Sequence, residues 1–275
     1  MRELSSWPYN SLSRKLTKKR KGRMKKLFVF LFMLVIAVGI SGYSDAKLWD
    51  RGGGLIYDDV LNVTWLQDAN YAKTAGTVFD PNGDGIMGYE QAKAWANSLN
   101  YYDSVRDIVW SDWRLPNALP VNGSDYNYVS NQYNGSGDTG YNISAEGSMY
   151  AGTKQSEMAY LFYNSLGATG QFDVNGNIRS VYGLYEKGTT PFINLQLDAY
   201  WSIQSGNTST LDALYFNFAQ GVQKLDTKLH TPGFYAWAVL DGDVVSAPST
   251  VPEPATMLLV GFGLLGIEGF RRKFQ

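Results

Sequence analysis

The sequence predicts a single α+β domain between two targeting segments. Two stretches carry apolar residues at helical spacing, and short runs rich in β-branched and aromatic residues precede and follow them. Apolar runs too short for a stable membrane span lie near both ends of the chain. We therefore expect a signal peptide at 1–46, an exported domain at 47–246, a linker at 247–250 and a sorting signal at 251–275.

The predicted domain begins with a hairpin and continues with a helix. Strand-like residues at 55–57 and 63–66 lie on either side of an Asp-Asp turn. Further along, apolar residues recur at i, i+3, i+4 and i+7, which predicts a helix over 89–100 with one apolar face. This face consists of Ala92, Trp95, Ala96 and Leu99.

A second helix and a set of strands complete the predicted domain. Residues 156–166 have an apolar face, Glu157 suits the positive end of a helix, and Gly167 suits the left-handed position after it. The expected strands are 199–203, 213–218, 222–225 and 234–240. Two helices between an early hairpin and a late antiparallel set define the α+β class.

Composition and charge exclude several classes of function. The 275 residues include no Cys and one His, which excludes disulfides, thiolate zinc sites and Cys/His nucleophile pairs. Residues 47–250 carry 21 acidic and 11 basic side chains, a net charge of −10. Because nucleic-acid binding relies on Lys and Arg, we expect no nucleic-acid partner, and cations are favoured instead.

The N-terminal segment has the pattern of a secretory signal peptide. Met24 and two lysines precede the apolar residues 27–40, and Ser44 and Ala46 stand where signal peptidase requires small residues. Fourteen helical residues rise only about 21 Å, against a hydrocarbon core of about 30 Å. We expect cleavage after Ala46 and translation from either Met1 or Met24; an uncleaved signal anchor is the alternative.

The C-terminal segment resembles the PEP-CTERM sorting signal. Pro252, Glu253 and Pro254 are followed by a short apolar helix and by a basic cluster, Arg271, Arg272 and Lys273. The resemblance implies a Gram-negative source, transient inner-membrane anchoring by a transmembrane helix, and cleavage by an exosortase-type enzyme. It also implies export to a biofilm matrix or the outer cell surface. A plain C-terminal anchor is the alternative.

The domain itself resembles a second family over residues 50–242. The residues that carry the resemblance are Gly54–Asp58, Thr64–Leu66, Trp95–Ala96, Asp112–Pro116, Tyr200–Ser202, Phe216–Phe218, Gly221 and Tyr235–Val239. They are similar to the C-terminal domain family of the bacterial collagen-like adhesin Lcl. This resemblance implies a C-type-lectin-like fold with two helices and a curved antiparallel sheet, and binding of glycosaminoglycans or other extracellular ligands.

Two features of those relatives are missing from this chain. The calcium-and-sugar triplets of lectins proper are absent, and formylglycine-generating chemistry needs cysteines that the chain lacks. Neither activity is therefore carried over to particular residues.

One loop has part of the pattern of a calcium site. Asp80, Asn82 and Asp84 occupy positions 1, 3 and 5 of an EF-hand-type loop, and Gly85 occupies position 6. The motif has an acid at position 12. In this loop the acid is Glu90, at position 11, so the loop is one residue shorter than the motif. We predict calcium bound by these four oxygen-bearing residues; a metal-free Asx/Gly turn before the helix is the alternative.

A long segment, residues 117–153, has the composition of a recognition surface. It is rich in Gly, Asn, Ser and Tyr, and tyrosine offers a large contact area at a low entropic cost. We predict a ligand surface on which sugar rings stack on Tyr126, Tyr128, Tyr133 and Tyr141. A surface loop whose tyrosines pack on the core is the alternative.

Other conspicuous residues are expected to be structural. Trp113, Trp201 and Trp237 are predicted to lie in the core, and Arg114 is predicted to pair with a carboxylate inside the domain. The Asp173 segment is predicted to form a tight turn. His230 has no evident partner and is expected to be exposed to solvent.

These observations favour an exported, non-enzymatic protein that binds polysaccharide or another extracellular polymer. No catalytic residue is assigned. One alternative is a secreted glycan hydrolase with paired carboxylates, although the sequence nominates no pair among 21 acids. A purely structural matrix component is the other alternative.

Overall fold

The computed structural model describes residues 47–129, 132–184, 190–203 and 211–245, all of which belong to one compact unit, Asp45–Gln275. The predicted signal peptide, linker and sorting signal, the last with Pro252, Glu253 and Pro254, lie outside the described residues.

The described part of the chain is mainly β, so the predicted α+β class and the C-type-lectin-like fold with one curved antiparallel sheet are wrong. Its strands form three separate sheets, one of which contains a parallel pair. Its helices are short because the apolar faces that predicted them extend over few turns. The helices are α1 (Tyr71–Ala75), α2 (Tyr89–Ser98), α3 (Glu157–Tyr160) and a π-helical segment, Leu161–Ser165. Among the described residues, none of the helices has the length and apolar character needed to cross a membrane.

The first sheet contains the predicted opening hairpin. Its order is β1-β2-β3-β12, and Ile56 faces Trp65 across the hairpin. The buried carboxylate of Asp58 closes the turn because it accepts the N–H groups of Val60 and Leu61 at 3.1 and 3.0 Å. The strands are β1 (Leu48–Gly52), β2 (Leu55–Asp58), β3 (Val63–Leu66) and β12 (Val239–Asp241).

The second sheet has the order β4-β11-β8-β9-β10-β7. Its centre is a long antiparallel pair, β9 and β10, as the sequence predicted. The predicted strand 234–240 divides in two, because its first residues join this sheet and its last ones join the first sheet. The strands are β4 (Ile86–Met87), β7 (Gly140–Tyr141), β8 (Ala199–Trp201), β9 (Asp212–Asn217), β10 (Val222–Thr227) and β11 (Phe234–Tyr235).

The third sheet is a hairpin of β5 (Tyr101–Asp103) and β6 (Ile108–Trp110). The buried Asp103 holds its turn through the N–H groups of Val105 and Arg106, and it accepts the indole N–H of Trp110 at 3.1 Å.

Both predicted helices are present. Helix α2 matches the prediction for 89–100 and buries Ala92, Trp95 and Ala96. The second predicted helix is α-helical to Tyr160 and then widens into the π-helical segment, and Gly167 takes the expected left-handed conformation with φ 59°.

Large aromatic residues form the centre of the core. Trp113, Trp201 and Trp237 are fully buried, as predicted. Each indole N–H donates to a backbone carbonyl, which removes the cost of burying the polar atom; the Trp201 and Trp237 bonds are 2.8 Å long.

Candidate functional site

The tyrosine-rich segment is folded around one buried carboxylate, that of Asp138. Its two oxygens accept the N–H groups of Val121 at 2.7 Å and of Asn127 at 2.6 Å. Burial raises the pKa of the Asp138 carboxyl, and the two hydrogen bonds oppose that rise. The described part of the segment is thus an ordered structure attached to the domain.

Two of the predicted ligand tyrosines form a pair near the start of this segment. The rings of Tyr126 and Tyr128 stack with their centroids 5.3 Å apart and their planes 15° apart. Both side chains are half-buried, and the Tyr126 hydroxyl donates to the Ala118 carbonyl at 2.8 Å. The pair presents a fixed aromatic surface that is partly open to solvent.

The other two predicted tyrosines belong to a second aromatic cluster. Tyr133 stacks on Tyr141 at 5.7 Å, and both contact Phe172. Tyr141 lies on β7 and is buried, whereas Tyr133 is half-buried. The structure therefore brings the four tyrosines together as two pairs, and their role as a ligand surface stays a prediction.

A polar cavity of about 420 Å³ lies beside the second cluster. Side chains from four parts of the chain line it: Asn142, Glu146, Tyr163, Thr169 and Arg179. Asn142 joins the cavity to the aromatic cluster, because its side-chain amide donates to the backbone carbonyls of Tyr133 at 2.6 Å and Phe172 at 3.0 Å.

Two side chains of the cavity wall carry buried oxygens without a hydrogen-bond partner. These atoms are Oδ1 of Asn142 and Oγ1 of Thr169. An unsatisfied buried polar atom costs about 1–3 kcal/mol, and its presence in a native structure calls for an explanation. Thr169 is half-buried although its hydroxyl is buried, so the part of Thr169 that lines the cavity is not the hydroxyl.

The backbone around the cavity is irregular. The π-helical segment carries Tyr163, whose hydroxyl donates to the Gly221 carbonyl at 2.5 Å and accepts the Asn142 N–H at 3.0 Å. Burial raises the pKa of Tyr163. Asn142 and Ser144 both have positive φ angles, 59° and 70°. Left-handed residues and π-helical turns are concentrated at functional sites in proteins generally.

Charges of both signs line the cavity. The Arg179 guanidinium donates to the carbonyls of Gly170 at 3.0 Å and Phe172 at 2.8 Å. It forms no ion pair with any residue in the described ranges. Glu146 is exposed on the same cavity. The wall therefore offers hydrogen-bond donors and acceptors with nearly balanced charge.

Three of the predicted calcium residues, Asp80, Asn82 and Asp84, lie on the loop before α2, and Glu90 lies in the first turn of that helix. Asp80 is buried, and its carboxylate accepts the N–H groups of Gly83 at 3.0 Å and Gly85 at 2.6 Å. The Asp84 carboxylate accepts the N–H of Ile86 at 2.9 Å. These contacts are those of an Asx/Gly turn, and an EF-hand-type loop makes similar ones.

The remaining two predicted calcium ligands, Asn82 and Glu90, are exposed. In the part of the chain that the structure describes, no three side chains of the types His, Cys, Asp and Glu are grouped so as to hold a metal ion. Calcium binding at 80–90 stays a prediction.

Arg114 is a structural residue, as predicted. It forms a bidentate pair with Glu157, with both N–O distances at 2.8 Å, and it also contacts Asp241. Burial lowers the pKa of Arg114, but the bonds to these two carboxylates more than compensate, so the pKa is raised. Arg114 thereby ties β12 to α3.

The last two structural predictions have different outcomes. Asp173 forms the expected turn and accepts the N–H groups of Asn175 and Asn177 at 2.9 Å. The expectation for His230 is wrong, because its ring is partly buried, stacks on Phe234 and lies 3.1 Å from the Asp226 carboxylate.

Comparison with known proteins identifies the C-terminal segment. The PEP-CTERM protein-sorting motif family matches residues 250–273. The motif implies processing by an exosortase and marks an exported protein that is sorted to the cell surface. No curated protein and no solved structure matches the chain. The resemblance of the domain to the adhesin family has no support from these comparisons.

The cavity is the feature that the sequence did not indicate. Its residues come from 142–147, 163–169 and Arg179, and no spacing connects these stretches. Gly167 was recognised, but as a helix end. Two of its walls lie in segments that the sequence did indicate, the predicted helix at 156–166 and the polar segment at 117–153.

Proposed function

We propose that this exported protein is non-enzymatic and binds an extracellular polysaccharide through the face formed by the segment 117–153. The observation that carries the proposal is the partly exposed aromatic pair Tyr126 and Tyr128, fixed beside the folded Asp138 turn. Sugar rings have apolar C–H faces that pack on aromatic rings.

The rigidity of the segment favours binding. Asp138 holds its backbone, and Asn142 fixes Tyr133. Rigid aromatic side chains lose little entropy when a ligand binds, so more of the contact energy contributes to affinity.

Three cavities lined by described residues favour binding over hydrolysis. A glycan hydrolase of the usual kind needs two carboxylates on either side of one bond, about 5–10 Å apart. The cavity of about 420 Å³ has one carboxylate in its wall, that of Glu146, and a cavity of about 190 Å³ also has one, that of Asp68. A third cavity, of about 260 Å³, is lined by Asn, Lys, Thr and Gln.

The proposal includes the processing enzymes and one cofactor. Signal peptidase would remove residues 1–46 before the sorting step. Calcium would be held by Asp80, Asn82, Asp84 and Glu90, in an acidic domain that would attract cations. The destination within the cell surface or extracellular matrix is part of this proposal.

Replacing the aromatic pair tests the proposal. The full-length chain, in a detergent without a sugar head group, would be titrated with the polysaccharide of the producing bacterium by calorimetry. Each lost ring contact is worth about 0.5–1.5 kcal/mol, so Tyr126→Ala with Tyr128→Ala should weaken binding by roughly 5- to 150-fold. Tyr102→Ala, which removes an exposed tyrosine of the β5–β6 hairpin, should leave binding unchanged.

Two outcomes would contradict the proposal. Absence of binding to the producer's polysaccharide and to a glycan array would favour a purely structural matrix protein. Release of new reducing ends from the polysaccharide would instead favour the hydrolase.

A further inference from the structure

We propose that removal of the signal peptide turns the backbone nitrogen of Lys47 into a cation that pairs with Asp59 and fixes the start of β1. The inference rests on one part of the proposed function, cleavage after Ala46. It goes beyond that part because it gives the new chain terminus a role in the fold.

The backbone of Lys47, the first residue of the predicted processed chain, already contacts a carboxylate. Its N–H donates to Oδ1 of Asp59 at 3.0 Å. The Asp59 N–H donates in turn to the Lys47 carbonyl at 3.4 Å, so the two residues are joined by two hydrogen bonds. These bonds place the start of β1 beside the turn between β2 and β3.

The charge of the Asp59 carboxylate has no cationic partner among the described residues. Its second oxygen, Oδ2, accepts the neutral indole N–H of Trp49 at 3.0 Å. The side-chain ammonium of Lys47 lies over the Trp49 ring, 3.8 Å from the ring centroid, and forms no ion pair with Asp59. A cation at the Lys47 backbone nitrogen would therefore be the first to reach this carboxylate.

Hydrolysis of the bond between Ala46 and Lys47 creates that cation. The water oxygen joins the Ala46 carbonyl carbon, which leaves as a carboxylate, and both water hydrogens end on the Lys47 nitrogen, which becomes an ammonium. A neutral amide donor is thus replaced by a positive charge at the same position. Coulomb attraction to the Asp59 carboxylate is then added to the hydrogen bond that is already present.

The position of β1 gives this pairing a structural effect. β1 is an edge strand of the first sheet, and after cleavage it would also be the chain terminus. Terminal segments are poorly ordered unless a contact holds them. The acidic domain, with a net charge of −10 over residues 47–250, also favours an added positive charge.

Chemical labelling of the new terminus tests the pairing. The processed wild type and its Asp59→Asn variant would be treated at pH 7 with an amine-reactive ester. Fragment mass spectra would separate labelling of the Lys47 α-nitrogen from labelling of its Nζ. Only the uncharged amine reacts, and a paired ammonium loses its proton less readily. We expect the wild type to be labelled roughly 1.5- to 5-fold more slowly, the factor that an exposed ion pair provides.

Asp50→Asn is the matched control, because it removes the same charge from the same strand. The Asp50 carboxylate accepts the Gly52 N–H at 2.8 Å and makes no contact with Lys47. This variant should be labelled at the wild-type rate. In salt of about 1 M, where the screening length is about 3 Å, the difference between wild type and Asp59→Asn should decrease.

Urea denaturation of processed and uncleaved chains provides a second measurement. Ser44→Leu with Ala46→Leu keeps the signal peptide attached, since signal peptidase requires small residues at these positions. Asp59→Asn should raise the equilibrium constant of unfolding roughly 1.5- to 5-fold more in the processed chain than in the uncleaved one. An equal loss of stability in both chains would overturn the inference, because the indole bond of Trp49 would then explain the effect.

The remaining outcomes separate this inference from polysaccharide binding. Equal labelling rates in the wild type, Asp59→Asn and Asp50→Asn would overturn the pairing, as would a processed chain that begins at a residue other than Lys47. Neither result concerns the polysaccharide, which the Tyr126 and Tyr128 variants test separately. Slow labelling of Lys47 that Asp59→Asn abolishes supports the pairing even in a protein that binds no polysaccharide.

Discussion

Gly221 joins β10 of the second sheet to the wall of the cavity, and only glycine suits its backbone conformation. Its φ is +66°, and its carbonyl accepts the Tyr163 hydroxyl. A Cβ at this position would lie 2.6 Å from Cε1 of Phe162 and 2.9 Å from Cα of Gly170. Both the conformation and the close packing therefore exclude a side chain.

Gly221→Ala should destabilise the domain by about 2–4 kcal/mol, because left-handed strain and overpacking act together. Gly242→Ala is the matched control: its φ is +82°, but a Cβ there would have nothing within 4 Å. It should cost only the strain, about 1–2 kcal/mol. Urea denaturation of the full-length variants measures the difference. Equal losses of stability in the two variants would show that the packing against Phe162 is unimportant.

Single residues could be predicted from the sequence where chemistry restricts their surroundings. A large aromatic such as Trp237 is usually buried, and a partly buried arginine such as Arg114 commonly meets a carboxylate, and both predictions were correct. Thr169 carries no such restriction, since threonine is common both on surfaces and in strands. Its position on a cavity depends on the folded chain, which brings Asn142, Gly167 and Arg179 to the walls of the same cavity.

Elements that depend on local contacts were also predictable. The hairpin of β2 and β3 and the helix α2 were recognised, because residues close in sequence determine them. The fold class was not, because it depends on pairing between distant strands. β3 pairs with β12, and β8 lies parallel to β11, although the sequence at 234–240 reads as one strand.

The loop 80–90 is the element at which the calcium proposal can be tested. Asn82 and Glu90 are exposed, and within the described residues neither side chain makes a hydrogen bond in the turn. Extracellular calcium modules have dissociation constants of about 10⁻⁴–10⁻³ M, so calcium at about 2 mM should stabilise the chain by roughly 0.6–1.8 kcal/mol.

Thermal denaturation with calcium, with magnesium and with chelator measures this stabilisation. We expect calcium alone to raise the melting temperature, and Glu90→Gln with Asn82→Ala to abolish the increase without changing the melting temperature in chelator. Identical melting curves in calcium and chelator would discard the site and leave the Asx/Gly turn as the full explanation of Asp80 and Asp84.

In the whole molecule, the distribution of charge along the chain is consistent with the two predicted processing signals. Residues 47–250, which lie between the two apolar runs, have a net charge of −10, whereas basic residues cluster next to both runs. Basic clusters hold the adjoining end on the cytoplasmic side of a membrane. We therefore expect the acidic domain to cross the membrane while both ends remain available to processing enzymes.

The mature protein should consequently lack both ends of the chain. Intact-mass measurement of the protein released by the producing cell should give residues 47 to about 250, because we expect signal peptidase to cut after Ala46 and an exosortase to cut near Pro252–Pro254. Replacing Pro252, Glu253 and Pro254 together by alanine should leave the C-terminal segment attached and the protein in the membrane fraction. Replacing Pro248 in the linker serves as the control and should not affect release. A full-length chain that accumulates in the cytosol with both ends present would contradict export by this route.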